Sequence, residues 1–113
     1  MKVIKKSFES VEKTGAHGGS GGRRLFVDDG EIQNFQGMTY GYLPAGNMFA
    51  WHNHEGLNEV MFVIKGEGYV KDEDGQYSYS TGDFFIYPNG TYHEIVNTGE
   101  DESEMIFVRV KEF

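Results

Sequence analysis

The chain has 113 residues, a length that suits one compact domain, and its 10 Lys and Arg against 18 Asp and Glu give a formal net charge of -8. This negative charge argues against nucleic acid and anionic membrane surfaces as partners. Cysteine is absent, which excludes disulfides, thiolate metal sites and a cysteine nucleophile.

The N-terminal part of the sequence differs from the rest in composition and pattern. We expect residues 1–22 to form an arm, with a short edge strand over 3–8, one helical turn beginning at Ser10 and a glycine-rich stretch over 17–22. The charged N-terminus has no apolar stretch after it, so no signal peptide is predicted. The expected location is the cytoplasm.

From residue 23 to residue 113, the sequence predicts a single barrel of short strands. The 16 glycines and the aromatic content of 15% favour strands joined by tight turns. Turn signals recur about every 8–12 residues and no window has a sustained helical period, so the predicted fold class is all-β and antiparallel. The predicted strands cover residues 25–27, 38–42, 49–54, 59–65, 68–71, 77–80, 83–87, 92–96 and 105–110.

Three of the four histidines fall in a pattern that indicates a metal site. His52 and His54 are two residues apart on one predicted strand, so both imidazoles project from the same face. Glu59 lies on the next strand, where its carboxylate can face those rings, and His93 begins a later strand. Imidazole nitrogens with one carboxylate oxygen suit a divalent first-row transition metal. The alternative is that these are ordinary surface or core histidines satisfied by hydrogen bonds.

The spacing of these residues resembles the two signature motifs of the cupin superfamily. The matching segments are Gly46-x5-His52-x-His54-x4-Glu59-x6-Gly66 and Gly82-x5-Pro88-x-Gly90-x2-His93-x3-Asn97. The resemblance implies a jelly-roll barrel, an antiparallel double-stranded β-helix, similar to the metal-binding oxalate decarboxylases and germin-like proteins. It also implies that one divalent ion per subunit (Mn, Fe, Ni or Zn) is held by His52, His54, Glu59 and His93.

The glycines of the two motifs also have a backbone role of their own. They fall where strands reverse, and a left-handed backbone there penalises any other residue. We therefore expect positive φ at Gly46, Gly66, Gly82 and Gly90. Asn97 is expected to tie a turn or support the barrel rim rather than to bind metal.

Candidate substrate-binding residues lie before and within the barrel. Arg23 and Arg24 are candidates to hold a substrate carboxylate by paired hydrogen bonds, or else they form a solvated basic patch. His17 and the glycines after it are similar to a stretch that precedes the barrel in some small microbial cupins. That stretch either folds over the pocket mouth or is a flexible surface loop. Tyr40 belongs to the aromatic residues near the motifs, and Met61 shares a strand face with the predicted carboxylate ligand.

Strand parity also predicts an apolar outer surface. If His52 and His54 face inward, then Ala50 does too, and Phe49 and Trp51 face outward. An apolar outer surface on a barrel commonly marks a subunit interface, so we expect a homodimer. The outward residues of the next predicted strand are likewise apolar: Val60, Phe62 and Ile64.

The leading functional hypothesis is a metal-dependent enzyme acting on a small carboxylate or sugar-acid-like molecule at open metal positions. Decarboxylation, isomerisation and dioxygenation all fit, and the sequence assigns no catalytic residue. A second hypothesis is a non-catalytic sensor or storage module that binds a small ligand. A third is a structural barrel with an incidental metal, which predicts a pocket closed by bulky Phe or Tyr.

Overall fold

The computed structural model of the chain describes residues 1–15 and 21–112. The strands formed within them are β1 (Lys13–Gly15), β2 (Gly22–Val27), β3 (Phe35–Leu43), β4 (Met48–His52), β5 (Leu57–Lys65), β6 (Gly68–Lys71), β7 (Gln76–Tyr79), β8 (Phe84–Tyr87), β9 (His93–Asn97) and β10 (Ser103–Lys111). A six-stranded sheet has the order β1-β2-β3-β10-β5-β8, and a four-stranded sheet has the order β4-β9-β6-β7. All strand pairs are antiparallel. The predicted all-β jelly roll is confirmed.

The hydrophobic core lies between the two sheets. On β5, Glu59, Met61 and Val63 are buried, whereas Val60 and Phe62 point to the outer face of the larger sheet. This alternation confirms the parity predicted for β5. The core cluster consists of Leu43, Met61, Val63, Val70, Tyr79, Tyr87, Ile95, Met105 and Phe107.

The N-terminal segment differs from the expectation in two places. Residues 3–8 form no strand, and a 3-10 turn spans Phe8–Ser10 instead of beginning at Ser10. The reason is that the Ser10 hydroxyl donates to the Ser7 carbonyl at 2.7 Å and accepts from the Ser7 amide at 3.3 Å, so that this serine closes the turn. Within the predicted arm, β1 pairs with β2 as the edge strand of the larger sheet.

The segment before β1 lies across the outer face of the six-stranded sheet. Arg24 donates from Nη1 to the carbonyls of Phe8 and Val11, at 3.3 and 2.7 Å. The Phe8 ring meets the Tyr40 ring edge-on, with centroids 5.1 Å apart. A cavity of about 500 Å³ lies between this segment and the sheet. The described residues contain no helix with the length and hydropathy of a membrane span.

The motif glycines adopt the predicted left-handed backbone. At Gly66 a side chain is excluded twice over, because φ is 115° and an added Cβ would collide with the hydroxyl group of Ser103. Asn97 ties a turn as expected: its amide donates to the carbonyls of Leu43 and Asp101, each at 2.9 Å. The other three motif glycines have φ of 75° at Gly46, 92° at Gly82 and 80° at Gly90.

Candidate functional site

A β-bulge in β4 determines which of its side chains reach the inner face. Phe49 pairs with Ile95 of β9, and His52, three positions later, pairs with His93, only two positions back along β9. The extra residue reverses the alternation, so Phe49 packs against the core and Ala50 is exposed. The expectation that Ala50 faces inward and Phe49 outward was therefore wrong.

The site has a buried half and a half that reaches solvent. Glu59 on β5 is 3% exposed, and His93 at the start of β9 is 1% exposed. His52 ends β4 and His54 follows two residues later, and both are partly exposed. The structure thus brings together, from both sheets, the four residues that the sequence singled out.

Two imidazoles face one oxygen of the Glu59 carboxylate, and the third ring, that of His52, lies beside them. Oε1 of Glu59 lies 3.6 Å from Nε2 of His93 and 3.7 Å from Nε2 of His54. The ring centroids lie 4.4 Å apart for His52 and His93, 4.9 Å for His52 and His54, and 6.2 Å for His54 and His93.

Backbone carbonyls fix the orientation of two of the rings. Nδ1 of His52 lies 2.6 Å from the carbonyl oxygen of Ala50, and Nδ1 of His93 lies 2.9 Å from that of Thr91. Because a carbonyl oxygen can only accept, Nδ1 carries the proton in both rings. In the neutral imidazole, Nε2 is then a free lone pair, which is the form that binds metal ions.

Nε2 of His93 is an orphaned polar atom. Among the described residues it is a buried side-chain nitrogen without any hydrogen-bond partner. Oε1 of Glu59 lies 3.6 Å from this nitrogen and also presents only lone pairs when ionised. Buried polar atoms are nearly always paired, so this group of lone pairs requires a cation or a proton between them.

The spacing of these atoms fits a divalent ion after a small movement. Within the described ranges, no three His, Cys, Asp or Glu side chains already adopt the geometry of a metal centre. At metal–nitrogen and metal–oxygen bond lengths of about 2.0–2.2 Å, two ligand atoms of one ion lie roughly 3.0–3.5 Å apart. The separations of 3.6 and 3.7 Å at Glu59 are only slightly longer. The donor set is that of a borderline transition metal.

The electrostatics of the site favour the protonation states that a metal needs. Burial lowers the pKa of His54, against the opposing charge of Glu59. Burial alone raises the pKa of Glu59, but contacts with His93, His54 and Arg109 outweigh it, so that its pKa lies below the ordinary value. At neutral pH the site therefore combines a neutral His54 with an ionised Glu59.

Two residues at the site were missed by sequence reasoning. The Tyr87 ring stacks on the His93 imidazole at a centroid distance of 3.9 Å. Nη1 of Arg109 lies 3.6 Å from Oε2 of Glu59. A signal for Arg109 existed: it is a charged residue at the position of β10 that continues the inward alternation of Met105 and Phe107.

The predicted substrate-binding residues are mostly elsewhere. Met61 lies next to Glu59 on the inner face of β5, but it is fully buried in the core. Arg24 and Tyr40 pair across β2 and β3 on the outer face, where they contact the N-terminal segment, so the structure separates them from the histidines. Arg23 is exposed on β2. His17 lies outside the described residues.

Comparison with known proteins agrees with this fold. Residues 39–109 match a family model described as Cupin domain. The oxalate-binding protein of Thermotoga maritima is 33% identical over 66 residues, which cover 58% of this chain and 54% of the relative. The chain thus matches about half the length of that relative.

Solved structures show the same fold. A predicted oxalate decarboxylase from Thermotoga maritima superposes with a TM-score of 0.86 at 21% identity, over 96% of this chain and all of that chain. A sugar phosphate isomerase from Silicibacter pomeroyi superposes with a TM-score of 0.80 at 19% identity, over 96% and 76% of the two chains. At these identities the likeness shows the fold alone.

Proposed function

The chain belongs to the cupin family, and we propose that it binds one divalent transition metal ion per subunit at His52, His54, Glu59 and His93. The observation that carries the proposal is the buried, unpartnered Nε2 of His93 facing Oε1 of Glu59 at 3.6 Å. Two lone pairs so close together in a buried setting are stable when a cation lies between them. Mn, Fe, Ni and Zn all accept this set of imidazole and carboxylate donors.

The two halves of the site have different tasks in this proposal. Glu59 and His93 anchor the ion on the buried side, where the stacked ring of Tyr87 excludes water. His52 and His54 complete the site on the side that reaches solvent, which is where a small molecule enters. A bound divalent ion supplies Lewis-acid chemistry, the polarisation of a substrate carbonyl or carboxylate oxygen.

We propose a small carboxylate or sugar-acid-like molecule as the ligand. Carboxylate oxygens are suitable donors for the remaining positions of such an ion. The relative from Thermotoga maritima is named for binding oxalate, which supports this class of ligand. We expect a metal-dependent enzyme of the decarboxylase, isomerase or dioxygenase type.

A second candidate is a non-catalytic protein that binds the same ligand through the metal. That relative is named for binding and not for a reaction, which favours this candidate. The third hypothesis, a structural barrel with a closed pocket, is disfavoured because His52 and His54 are partly exposed. Turnover separates the first two candidates.

The assembly proposed for the chain is a homodimer formed through the outer face of the six-stranded sheet. Val60, Phe62, Phe84 and Ile86 form two cross-strand pairs on this face, and all four are exposed. Phe84 and Ile86 are 64% and 66% exposed, and an exposed apolar patch of this kind commonly marks a subunit interface. The location in the cytoplasm stays a prediction.

The metal proposal is tested by elemental analysis of protein purified without a polyhistidine tag. We expect close to one equivalent of Mn, Fe, Ni or Zn per chain, and a loss of most of it in His52→Ala and His93→Ala. Asn53→Ala, between two of the ligands in sequence, is the matched control and is expected to keep its metal. Wild-type protein that stays metal-free after incubation with each of these ions would overturn the proposal.

The ligand proposal is tested with the metal-loaded protein. Oxalate is titrated into metal-loaded and metal-free protein by calorimetry, and ¹³C-labelled oxalate is then followed by NMR. Binding that requires the metal supports the proposed ligand class. Conversion of the label supports an enzyme, binding without conversion supports the second candidate, and equal binding with and without metal contradicts both.

A further inference from the structure

Arg109 is a charged side chain on the inner face of β10, directly across from Glu59 in the strand pairing. Its side chain is only 13% exposed. A buried guanidinium requires hydrogen bonds and an opposite charge, or its desolvation is expensive. The surroundings of Arg109 supply both.

The acceptors for the hydrogen bonds of Arg109 lie on β3. Nε of Arg109 donates to Oε1 of Gln36 at 2.5 Å, and Nη2 donates to Oγ1 of Thr39 at 2.7 Å. Arg109 pairs with Gly37 and Val110 pairs with Phe35, so Gln36 is the extra residue of a β-bulge. The bulge turns the Gln36 side chain towards the guanidinium.

Gly37 makes room for this guanidinium. A Cβ added to Gly37 would lie 2.9 Å from Nη2 of Arg109, closer than Cβ atoms are found in folded proteins. Its φ is not positive, so the close approach of Arg109, and not the backbone conformation, favours glycine here. Strand β3 therefore provides both the hydrogen-bond acceptors and the space for the Arg109 guanidinium.

The opposite charge is Glu59, whose two oxygens face different partners. Oε2 lies 3.6 Å from Nη1 of Arg109, while Oε1 faces Nε2 of His93 and of His54. A guanidinium fixed at Nε and Nη2 has its remaining nitrogen in one direction, because the group is planar and rigid. The orientation of the Glu59 carboxylate therefore depends on the position in which β3 holds Arg109.

We propose that Arg109 is a positioning residue for the Glu59 carboxylate. It holds Oε1 towards the histidines and keeps Oε2 away from the metal ion. The inference rests on the metal site proposed above. With Oε2 turned towards the guanidinium, Glu59 offers a metal ion one oxygen, and further positions are left for water or a small ligand. A lysine would keep the positive charge but lose the planar guanidinium, whose fixed geometry sets the direction of the contact with Glu59.

The experiment compares Arg109→Lys and Gly37→Ala with the wild type, using the intact chain freed of metal and titrated with Zn²⁺ and Co²⁺. The first variant keeps the positive charge, so an altered charge cannot offset the lost orientation. The second keeps both Arg109 and Glu59 and displaces Nη2, the end of a flexible side chain, and its added Cβ also lies 3.2 Å from the carbonyl oxygen of Val27. Arg24→Lys, on the outer face, is the matched control.

We expect both variants to bind Zn²⁺ at least about 10-fold more weakly, which is the usual effect of removing an outer partner of a metal ligand. We also expect a changed Co²⁺ absorption spectrum, because the intensity of its visible bands follows coordination number. A merely structural role would lower the melting temperature of the metal-free protein without changing that spectrum. Arg24→Lys is expected to match the wild type in affinity and spectrum.

The outcomes separate this inference from the proposed function. Wild-type protein that binds neither ion overturns the metal site itself, and the inference with it. Wild-type protein that binds both ions, with Arg109→Lys unchanged in affinity and spectrum, overturns the inference alone. Unchanged metal binding together with lost oxalate binding also overturns it, since Arg109 would then contact the ligand directly.

Discussion

The phenol ring of Tyr87 lies flat against the imidazole of His93, with centroids 3.9 Å apart and planes inclined by 7°. The Tyr87 hydroxyl lies 3.6 Å from the sulfur of Met61, a weak acceptor, and burial strongly raises the pKa of this phenol. The contribution of Tyr87 is therefore its ring and not its acidity. The ring fixes the plane of an imidazole whose Nδ1 is held by the Thr91 carbonyl.

Substitutions at Tyr87 separate the ring from the hydroxyl. We expect Tyr87→Phe to change the free energy of unfolding by less than about 1 kcal/mol, because only a weak hydrogen bond is lost. Tyr87→Ala should lower it by about 3–5 kcal/mol, as a buried aromatic ring is removed from the core. Urea unfolding of metal-free protein measures both. A large loss in Tyr87→Phe would show that the hydroxyl matters more than its contact suggests.

Asn97 is expected to be a stability residue. Its buried amide donates to the carbonyls of Leu43 and Asp101, and its Oδ1 accepts from the Gly99 amide. Asn97→Ala leaves three backbone groups without these partners and should lower the free energy of unfolding by about 1–3 kcal/mol. Denaturant unfolding checks this, with the exposed Asn47→Ala as the control, expected within about 0.5 kcal/mol of the wild type. Equal stabilities of the two variants would contradict the assignment.

The outer face of the larger sheet gives a prediction for assembly. Phe84→Lys introduces a charge into the apolar surface, where Phe84 stacks beside Phe62 with centroids 6.5 Å apart. If this face forms the homodimer, the variant should be monomeric by light scattering at concentrations where the wild type is dimeric. Because Phe84 is 64% exposed in the single chain, the fold should survive, and far-UV circular dichroism checks that.

The control for this prediction is Tyr77→Lys. Tyr77 is 45% exposed, but it lies on β7 of the other sheet. The variant should remain dimeric. A wild type that stays monomeric at millimolar concentration would refute the proposed interface, as would a dimer unaffected by Phe84→Lys.

The lowered pKa of Glu104 leads to a prediction about the stability of the fold at acid pH. Burial raises its pKa, but Lys65 at 2.9 Å and the hydroxyl of Tyr40 at 2.7 Å lower it by more, so the net pKa lies below the unfolded value of 4.5. A carboxyl whose pKa is lower in the folded state adds stability above pH 4.5, and this is lost as the pH falls through the folded pKa. Glu104→Gln should therefore lose stability less steeply below pH 4.5 than the wild type.

The measurement for this prediction is thermal unfolding of both proteins from pH 7 to pH 3. The two curves should differ most at neutral pH and converge at the acid end. Parallel curves over the whole range would mean that Glu104 does not change its pKa on folding.

The sequence predicted which four residues lie together better than it predicted their surroundings. The spacing around His52 and Glu59 sufficed because β-strands place side chains at fixed intervals, and the fold confirmed the motif glycines by their positive φ. Phe49 was assigned to the wrong face, since a bulge depends on the pairing with β9, which no single strand encodes. Long-range pairing is the information that local periodicity lacks.

The same limitation explains the arginines. Arg23 and Arg24 were chosen because they are adjacent and basic, but Arg24 pairs with Tyr40 on the outer face and holds the N-terminal segment. The arginine beside Glu59 comes from the last strand, and only the position of β10 between β3 and β5 brings it there. Strand order in a jelly roll is set by crossovers, and these leave no trace in the alternation of one strand.

The close approach of Gly37 to Arg109 also has an evolutionary consequence. Since an added Cβ at Gly37 would lie 2.9 Å from Nη2 of Arg109, a larger residue at position 37 is disfavoured while the arginine keeps its place. Lineages that replace this arginine with a smaller side chain lose the constraint on the glycine, which can then drift to alanine or serine. The two positions should therefore covary among relatives, and a homologue with a larger residue in place of Gly37 should lack arginine in place of Arg109.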